Sequence, residues 1–445
     1  MRRALAVARG FGRLLLGGLF GLLLFGAALA EPPTYNARDR IHPVLAKHGL
    51  AVSQDALASQ VGLEILRQGG HAVDAAVAVG FALAVTLPQA GNLGGGGFLL
   101  VHDAAKQQSE AIDFRETAPA AAHRDFYLNA QGDVDETRIR FHHQAAGVPG
   151  TVAGLALAHQ RHGRLPWRRL IEPAIRLAEA GIPVSAELAQ SLRGVRARMA
   201  PWPASMKAFF KADGSPYRPG EILMQQDLAA SLELIAEQGP EAFYEGEIAR
   251  KLVADMEAQE GLITLDDLKN YRAVVRVPVR GTYRGYEIVS MPPPSSGGVH
   301  LIQLLNMLET WPLTELGHNS AATIHRMAEA MKLVYADRSE YLGDPDFATV
   351  PVAGLTSKAY ARELASRIDL ARARPATEIK PGQPQRHESE QTTHYSVLDR
   401  DGNAVAVTYT LNFPYGSGIV AAGTGILLNN EMDDFAAKPG VPNAY

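Results

Sequence analysis

A long polar segment that leads directly into a short β-hairpin constrains this chain more than any other feature. Residues 371–391 contain three prolines and many charged side chains, with hardly an apolar residue beyond Ile379. Such a composition predicts an exposed loop. The loop runs into two predicted strands, Thr392–Leu398 and Ala404–Thr410, joined by a turn over residues 399–403. An ordinary surface connection and a site of chain cleavage both fit this pattern.

The N-terminus has the pattern of an export signal. Four arginines precede an apolar run from Leu14 to Ala27, and Ala28-Leu29-Ala30 offers the small residues that a signal peptidase accepts. We therefore expect residues 1–30 to be a signal peptide that is cleaved after Ala30. A retained membrane anchor is the alternative. With the signal removed, the protein is expected to be periplasmic or secreted, with no stable membrane anchor.

Composition excludes several classes of protein. The 445 residues include no cysteine, which excludes thiol catalysis, thiolate metal sites and disulfides. Removing residues 1–30, whose only charges are four arginines, lowers the net charge from −4 to −8. An acidic chain without a basic block is not expected to bind nucleic acid. His142-His143 is not expected to hold a metal, because neighbours on a strand point to opposite faces.

A glycine-rich run invites comparison with nucleotide-binding loops. Residues 91–97 lie between a predicted apolar helix over His71–Thr86 and a predicted strand over Phe98–His102. Phosphate-binding loops have the order strand, glycines, helix, whereas here the order is helix, glycines, strand. Nucleotide binding is therefore excluded, and these glycines are expected to let main chains approach closely.

The remaining periodicity predicts a mixed α/β chain. Ser53 is expected to cap a helix in which Leu57, Val61 and Ile65 form one stripe. Later segments are assigned by the same criteria: helices through 152–268, strands at 274–279 and 283–289, and helices from 300 to about 341.

Thr392 has distinctive chemistry if the chain is cut before it. A threonine hydroxyl is a weak nucleophile, but an N-terminal threonine carries its own base in its α-amine. That amine has a reference pKa of about 7.7–8.0, close to ambient pH. In the intact precursor, the hydroxyl of Thr392 would attack the carbonyl of Gln391, and water would hydrolyse the resulting ester.

Several motifs in a fixed order resemble those of one enzyme family. From about Ile41 to Tyr445 the chain is similar to bacterial γ-glutamyltranspeptidases, which belong to the N-terminal nucleophile hydrolase superfamily. The motifs that carry the resemblance are residues 70–76, 87–97, 113–116, 148–151, 293–298 and 391–396.

The resemblance implies a fold, an activity and a set of roles. The expected fold is an αββα sandwich that is processed into a large subunit (31–391) and a small subunit that begins at Thr392 and here covers residues 392–445. The expected activity transfers a γ-glutamyl group from glutathione and related donors to amino acids, peptides or water, without a metal or an organic cofactor. By position, Thr392 is expected to be the nucleophile and Thr410 to orient it. Arg115 is expected to bind the α-carboxylate of the substrate. The carboxylate and ammonium of the glutamyl group are expected to be bound by Asn412, Glu431 and Asp434.

One departure from the family bears on activity. The family's small subunit continues further and supplies a Ser-Ser pair and a Gly-Gly pair that bind substrate and form the oxyanion hole, whereas this sequence stops at Tyr445. Residues 439–445 resemble the start of the loop that covers the site. We therefore expect the chain as printed to have an incomplete sandwich and little activity. An inactive truncated product and a related glutaryl-type acylase remain as alternatives to a γ-glutamyl enzyme.

Overall fold

The computed structural model describes residues 45–379, 392–435 and 437. The predicted signal peptide, the segment 380–391 before the predicted cut, and the predicted covering loop at 439–445 lie outside the described residues. The chain divides into a unit of residues 1–47 and a unit of residues 48–445, and all the elements below lie in the second unit.

A six-stranded antiparallel sheet forms the centre of the described fold. In the described residues the strands are β1 (Gly49–Val52), β2 (Gly96–Asp103), β3 (Gln108–Asp113), β4 (Ile182–Pro183), β5 (Ile222–Leu223), β6 (Val274–Arg276), β7 (Val279–Tyr283), β8 (Tyr286–Ser290), β9 (Thr392–Asp399) and β10 (Ala404–Thr410). The main sheet has the order β1-β9-β10-β2-β3-β6, and two small sheets pair β4 with β5 and β7 with β8.

The register of the hairpin brings three sequence motifs into one row. Thr410 at the end of β10 lies opposite Thr392 at the start of β9 on one side and opposite Gly96 at the start of β2 on the other. The predicted hairpin is therefore confirmed, and its open end lies beside the glycine run. Strand β9 thus begins where the glycines allow close packing.

Helices cover the sheet. In the described residues they are α1 (Ala56–Arg67), α2 (Ala72–Thr86), α3 (Glu136–Phe141), α4 (Thr151–His162), α5 (Trp167–Ala180), α6 (Ala186–Met199), α7 (Pro203–Phe209), α8 (Gln226–Gln238), α9 (Glu241–Tyr244), α10 (Glu247–Ala258), α11 (Leu265–Asn270), α12 (Gly297–Leu308), α13 (Leu313–Leu316), α14 (Ala321–Tyr341), α15 (Val352–Leu355) and α16 (Lys358–Ser366). Every residue of α2 is buried, as its apolar composition predicts. The Tyr409 hydroxyl of β10 donates to the Gly80 carbonyl of α2 at 2.9 Å, which ties this helix to the sheet.

A second layer lies across the other face of the sheet. The β7–β8 hairpin packs with α12 and α15 around a small core of Val279, Val299, Ile302 and Leu355. The residues that line one cavity come from both β10 and β8, so the space between the two layers is open there. Helices, sheet, sheet and helices follow one another as in the predicted sandwich. Among the described residues, no helix is long and apolar enough to cross a membrane.

Several local predictions were wrong for identifiable reasons. The cap of α1 is Asp55, whose carboxylate accepts the N–H of Ala58, whereas the Ser53 hydroxyl bonds to the Asp55 carbonyl. Pro278 cannot donate to a strand ladder, and the predicted strand at 274–279 is interrupted there. His142 follows the last residue of α3 and does not lie on a strand, so the argument from strand alternation does not apply to it.

Candidate functional site

The glycine run is built around a buried asparagine. Asn92 donates from Nδ2 to the carbonyl oxygen of Thr410 at 2.9 Å, and its Oδ1 accepts the N–H of Gly95 at 3.0 Å and the hydroxyl of Thr151 at 2.7 Å. A Cβ atom on Gly95 would lie 2.0 Å from the Thr410 carbonyl oxygen. Only glycine therefore fits against the end of β10, as expected from close approach of main chains.

Thr410 has its own local partner. It is buried at the end of β10, and its hydroxyl oxygen accepts the N–H of Asn412 at 2.9 Å. Asn412 adopts a left-handed conformation with φ of 72°. This turn directs the chain away from the sheet immediately after the residue that lies opposite Thr392.

Asn412 does not line the cavity that the described side chains of Thr410, Arg115, Glu431 and Asp434 line. Its side chain is buried, and Nδ2 donates to the carbonyl oxygen of Asn430 at 3.0 Å. In this structure Asn412 therefore supports the main chain directly before Glu431. Its contact with a substrate stays a prediction.

Arg115, Glu431 and Asp434 come together across the cavity. The Arg115 guanidinium lies 2.5 Å from Glu431 Oε1 and also forms an ion pair with Asp434. Both acids belong to a short 3₁₀ turn over Glu431–Asp434. The guanidinium and the carboxylates that the sequence assigned to the opposite charges of the substrate thus form ion pairs with each other.

Glu116 is a further acidic residue at this point, and no role was predicted for it. It is buried, and among the described residues neither of its carboxylate oxygens accepts a hydrogen bond from another residue. Burial raises the pKa of Glu116 to about 7, although the positive charge of Arg115 lowers it. The negative charges of Asp434 and Asp113 add to the increase. The sequence signal that could have identified Glu116 as a site residue was its position next to Arg115 in the motif at 113–116.

The pKa of Glu431 is raised by burial, as that of Glu116 is. Burial raises the pKa of Glu431 well above its ordinary value, although Arg115 opposes the shift, and the charges of Glu116 and Asp434 reinforce it. One guanidinium thus faces three carboxyl groups. Two of these retain a proton more readily than a solvated glutamate does.

A salt bridge outside the cavity holds the acidic turn. Arg140 of α3 donates from Nε to Asp433 Oδ1 at 2.8 Å. Burial raises the pKa of Asp433, and Arg140 opposes that shift. Asp433 thus faces away from Arg115 and connects the turn to α3.

Thr410, Arg115, Glu116, Glu431 and Asp434 all line a cavity of about 1120 Å³ between the two layers. Among residues 45–379, 392–435 and 437, no group of three or more His, Asp or Glu side chains could hold a metal ion.

Comparisons with known proteins agree with this architecture. The sequence model of the γ-glutamyltranspeptidase family matches residues 58–445. A glutathione hydrolase proenzyme of Escherichia coli is 52% identical over 437 residues, which cover 97% of this chain and 75% of that protein.

Two solved structures share the fold. The γ-glutamyltranspeptidase of Helicobacter pylori superposes with a TM-score of 0.75 at 46% identity, covering 78% of this chain and all of that one. A cephalosporin acylase of Bacillus halodurans gives a TM-score of 0.80 at 29% identity, covering 93% of this chain and 75% of that one. The predicted sandwich class is thus confirmed, and the lower identity to the acylase makes an acylase the weaker alternative. On the family model and the close relatives together, the chain belongs to the γ-glutamyltranspeptidase family.

Proposed function

We propose that this protein hydrolyses glutathione and other γ-glutamyl compounds, or transfers their γ-glutamyl group, with Thr392 as the nucleophile. The observation that carries the proposal is the row formed by Thr392, Thr410 and Gly96, together with the charged cavity that Thr410 lines. The names of the relatives, a γ-glutamyltranspeptidase and a glutathione hydrolase proenzyme, support both the substrate class and the processing step.

Self-cleavage would create the nucleophile. The hydroxyl oxygen of Thr392 attacks the carbonyl carbon of Gln391, the peptide C–N bond breaks, and an ester joins the two residues. Water then hydrolyses this ester, leaving a carboxylate on Gln391 and a free α-amine on Thr392. That amine accepts the hydroxyl proton in later turnovers.

Turnover repeats the same chemistry on a substrate. The hydroxyl of Thr392 attacks the γ-carbonyl carbon of the donor, and the amine of the scissile amide leaves with a proton. The γ-glutamyl ester then passes to water or to the amine of an acceptor. Thr410 would orient the nucleophile from the neighbouring strand.

The charges of the cavity suit the α-amino acid end of a γ-glutamyl donor. Arginine binds carboxylates through two parallel N–H groups, so Arg115 is assigned to the α-carboxylate. Glu431 and Asp434 are assigned to the α-ammonium, and Asn412 to the same end of the ligand. A zwitterion would thus take over both halves of the ion pairs that these side chains form with each other.

The same charges distinguish this proposal from a glutaryl-type acylase. A glutaryl group has the carboxylate of a γ-glutamyl group but lacks its ammonium, so it leaves the acidic side chains without a partner. Turnover of L-γ-glutamyl-p-nitroanilide should therefore greatly exceed that of glutaryl-p-nitroanilide. Equal or faster turnover of the glutaryl compound would favour the acylase.

Processing tests the nucleophile directly. The full-length protein should be cut so that the smaller product begins at Thr392. Thr392→Ala should remain one chain, and Thr392→Ser should be cut more slowly. Thr393→Val is the matched control, because Thr393 is buried and its hydroxyl has no hydrogen-bond partner among the described residues. A wild type that is active and uncut by mass spectrometry would refute the mechanism.

The proposal includes export, with the signal removed after Ala30. N-terminal sequencing of the periplasmic or secreted protein should begin at Glu31. Protein that is exported and still begins at Met1 would show that the N-terminal segment is retained.

A further inference from the structure

The main chain of Arg115 is held at both of its polar groups. Its N–H donates to Asp113 Oδ1 at 3.0 Å, and its carbonyl oxygen accepts the hydroxyl of Tyr271 at 2.8 Å. Arg115 lies just beyond the end of β3, so the sheet ladder does not supply these bonds. We propose that Tyr271 is a positioning residue that aims Arg115 at the substrate carboxylate. This inference rests on the proposed function.

Tyr271 is itself fixed by packing. It follows the last residue of α11, is buried, and stacks on Tyr244 with ring centres 5.8 Å apart and planes 8° from parallel. The Tyr244 hydroxyl donates to the Pro149 carbonyl at 2.9 Å and accepts the N–H of Ala153 at 3.1 Å. The two rings thus form a rigid pair, with one hydroxyl bound to Arg115 and the other bound to the chain around Pro149.

The motif at 148–151 makes room for this contact. A Cβ atom on Gly150 would lie 2.2 Å from the Tyr271 hydroxyl and 2.0 Å from the carbonyl oxygen of Phe114. Any other residue at this position would push the tyrosine or the end of β3 away. Glycine is therefore required at position 150 because of the Tyr271 and Phe114 contacts, and not because of packing against the glycine run at 91–97.

Asp113, which accepts the main-chain N–H of Arg115, is itself held in place. The second carboxylate oxygen of Asp113 accepts Arg276 Nε at 2.7 Å, and Arg276 binds Asp346 at 2.8 Å through its far end. Asp113 is buried, and this pairing compensates its charge. Because of these contacts, the main chain of Arg115 is fixed before any ligand arrives.

Fixing the main chain matters because an arginine side chain has four rotatable bonds. A guanidinium that starts from a fixed Cα loses less freedom when it binds a carboxylate, and its two N–H groups reach the ligand in one geometry. Loss of one neutral hydrogen bond at this point should weaken carboxylate binding by about three- to tenfold. The chemical step at Thr392 should be unaffected.

The test compares Tyr271→Phe with a second variant that also loses one tyrosine hydroxyl. In the full-length protein, Tyr271→Phe should raise KM for L-γ-glutamyl-p-nitroanilide about three- to tenfold, while kcat and the rate of self-cleavage stay within about twofold. The Kd for L-glutamate, measured by calorimetry, should rise by the same factor. Tyr127→Phe is the control, because the buried Tyr127 hydroxyl donates to the Gln144 carbonyl at 2.6 Å and does not line the cavity; it should leave KM and this Kd unchanged.

The outcomes separate this inference from the function on which it rests. A wild type with a complete small subunit that is neither cut nor active contradicts the proposed function. If that wild type is cut and active but Tyr271→Phe keeps a normal KM and Kd, only the positioning role is contradicted. A Tyr271→Phe variant that loses kcat and processing in parallel would also overturn it, since that pattern indicates general disruption. If Tyr271→Phe is insoluble, Asp113→Ala removes the acceptor of the Arg115 N–H and should raise KM without lowering kcat.

Discussion

Replacing Glu116 by Gln should stabilise the protein at alkaline pH and have little effect in acid. The carboxyl of Glu116 has an ordinary pKa of 4.5, and burial raises it to about 7 in the folded state. The folded protein therefore holds a proton that the unfolded chain releases between these two values. Stability falls as the pH rises through this range, because the unfolded state then binds fewer protons than the folded state.

The difference between the two pKa values sets the size of the effect. Each pKa unit corresponds to about 1.4 kcal/mol, so the ionised carboxyl destabilises the fold by about 3 kcal/mol at pH 8 relative to pH 4. Glutamine has the same shape and does not titrate. For a chain of this length, 3 kcal/mol corresponds to about 3–4 °C in Tm. The groups that face Glu116 are Arg115, Glu431, Asp434 and Asp113.

Thermal unfolding at two pH values measures this effect. Relative to wild type, Glu116→Gln should gain about 3–4 °C at pH 8 and much less at pH 4.5. Glu110→Gln is the control with the opposite sign, because the hydrogen bond from Arg161 lowers the pKa of Glu110. That variant should lose stability at pH 8. The same difference between Glu116→Gln and wild type at both pH values would show that the pKa of this carboxyl is not raised.

Three further predictions follow from the same geometry. Arg115→Ala should leave self-cleavage intact and reduce kcat/KM for L-γ-glutamyl-p-nitroanilide by about 30-fold or more, since loss of one member of a buried charge pair costs about 2–5 kcal/mol; a normal kcat/KM would remove Arg115 from the site. Arg140→Ala releases Asp433 and should raise donor KM several-fold with kcat retained, and an unchanged KM would show that α3 does not hold the acidic turn. Asn92→Ala breaks four buried hydrogen bonds and should lower the free energy of unfolding by about 2–4 kcal/mol in urea titrations, whereas a loss below about 0.5 kcal/mol would contradict the role given to Asn92.

The sequence predicts elements best where one strong physical signal acts alone. The hairpin from Thr392 to Thr410 and the helix that ends at Thr86 follow from alternation and continuous apolarity, and both were predicted to within a residue or two. The cap of α1 was not, because Ser53 and Asp55 both favour a helix start and the local chain path decided between them. The single strand predicted at 283–289 is divided by a turn at Arg284 and Gly285, both of which have positive φ.

The site was less predictable, because its geometry depends on contacts between distant segments. Arg115 and Glu116 are neighbours that line the same cavity, which alternation along a strand would forbid; they lie beyond the end of β3, where alternation no longer applies. The family resemblance supplied Arg115, Glu431 and Asp434 by position. It did not indicate that these groups pair with one another, or that Glu116 is buried among them.

The position of the hairpin within the sheet has a consequence for the cut chain. Strands β9 and β10 lie between β1 and β2, both of which belong to the part of the chain before residue 392. Cleavage at 391–392 would therefore leave two polypeptides in one sheet, with the hairpin of the smaller polypeptide held between strands of the larger one on both sides. Their separation would require breaking the hydrogen bonds of two strand pairs at once. The break in the covalent chain would thus free a reactive end without freeing either piece, and the two subunits would behave as a single molecule until the sheet itself unfolds.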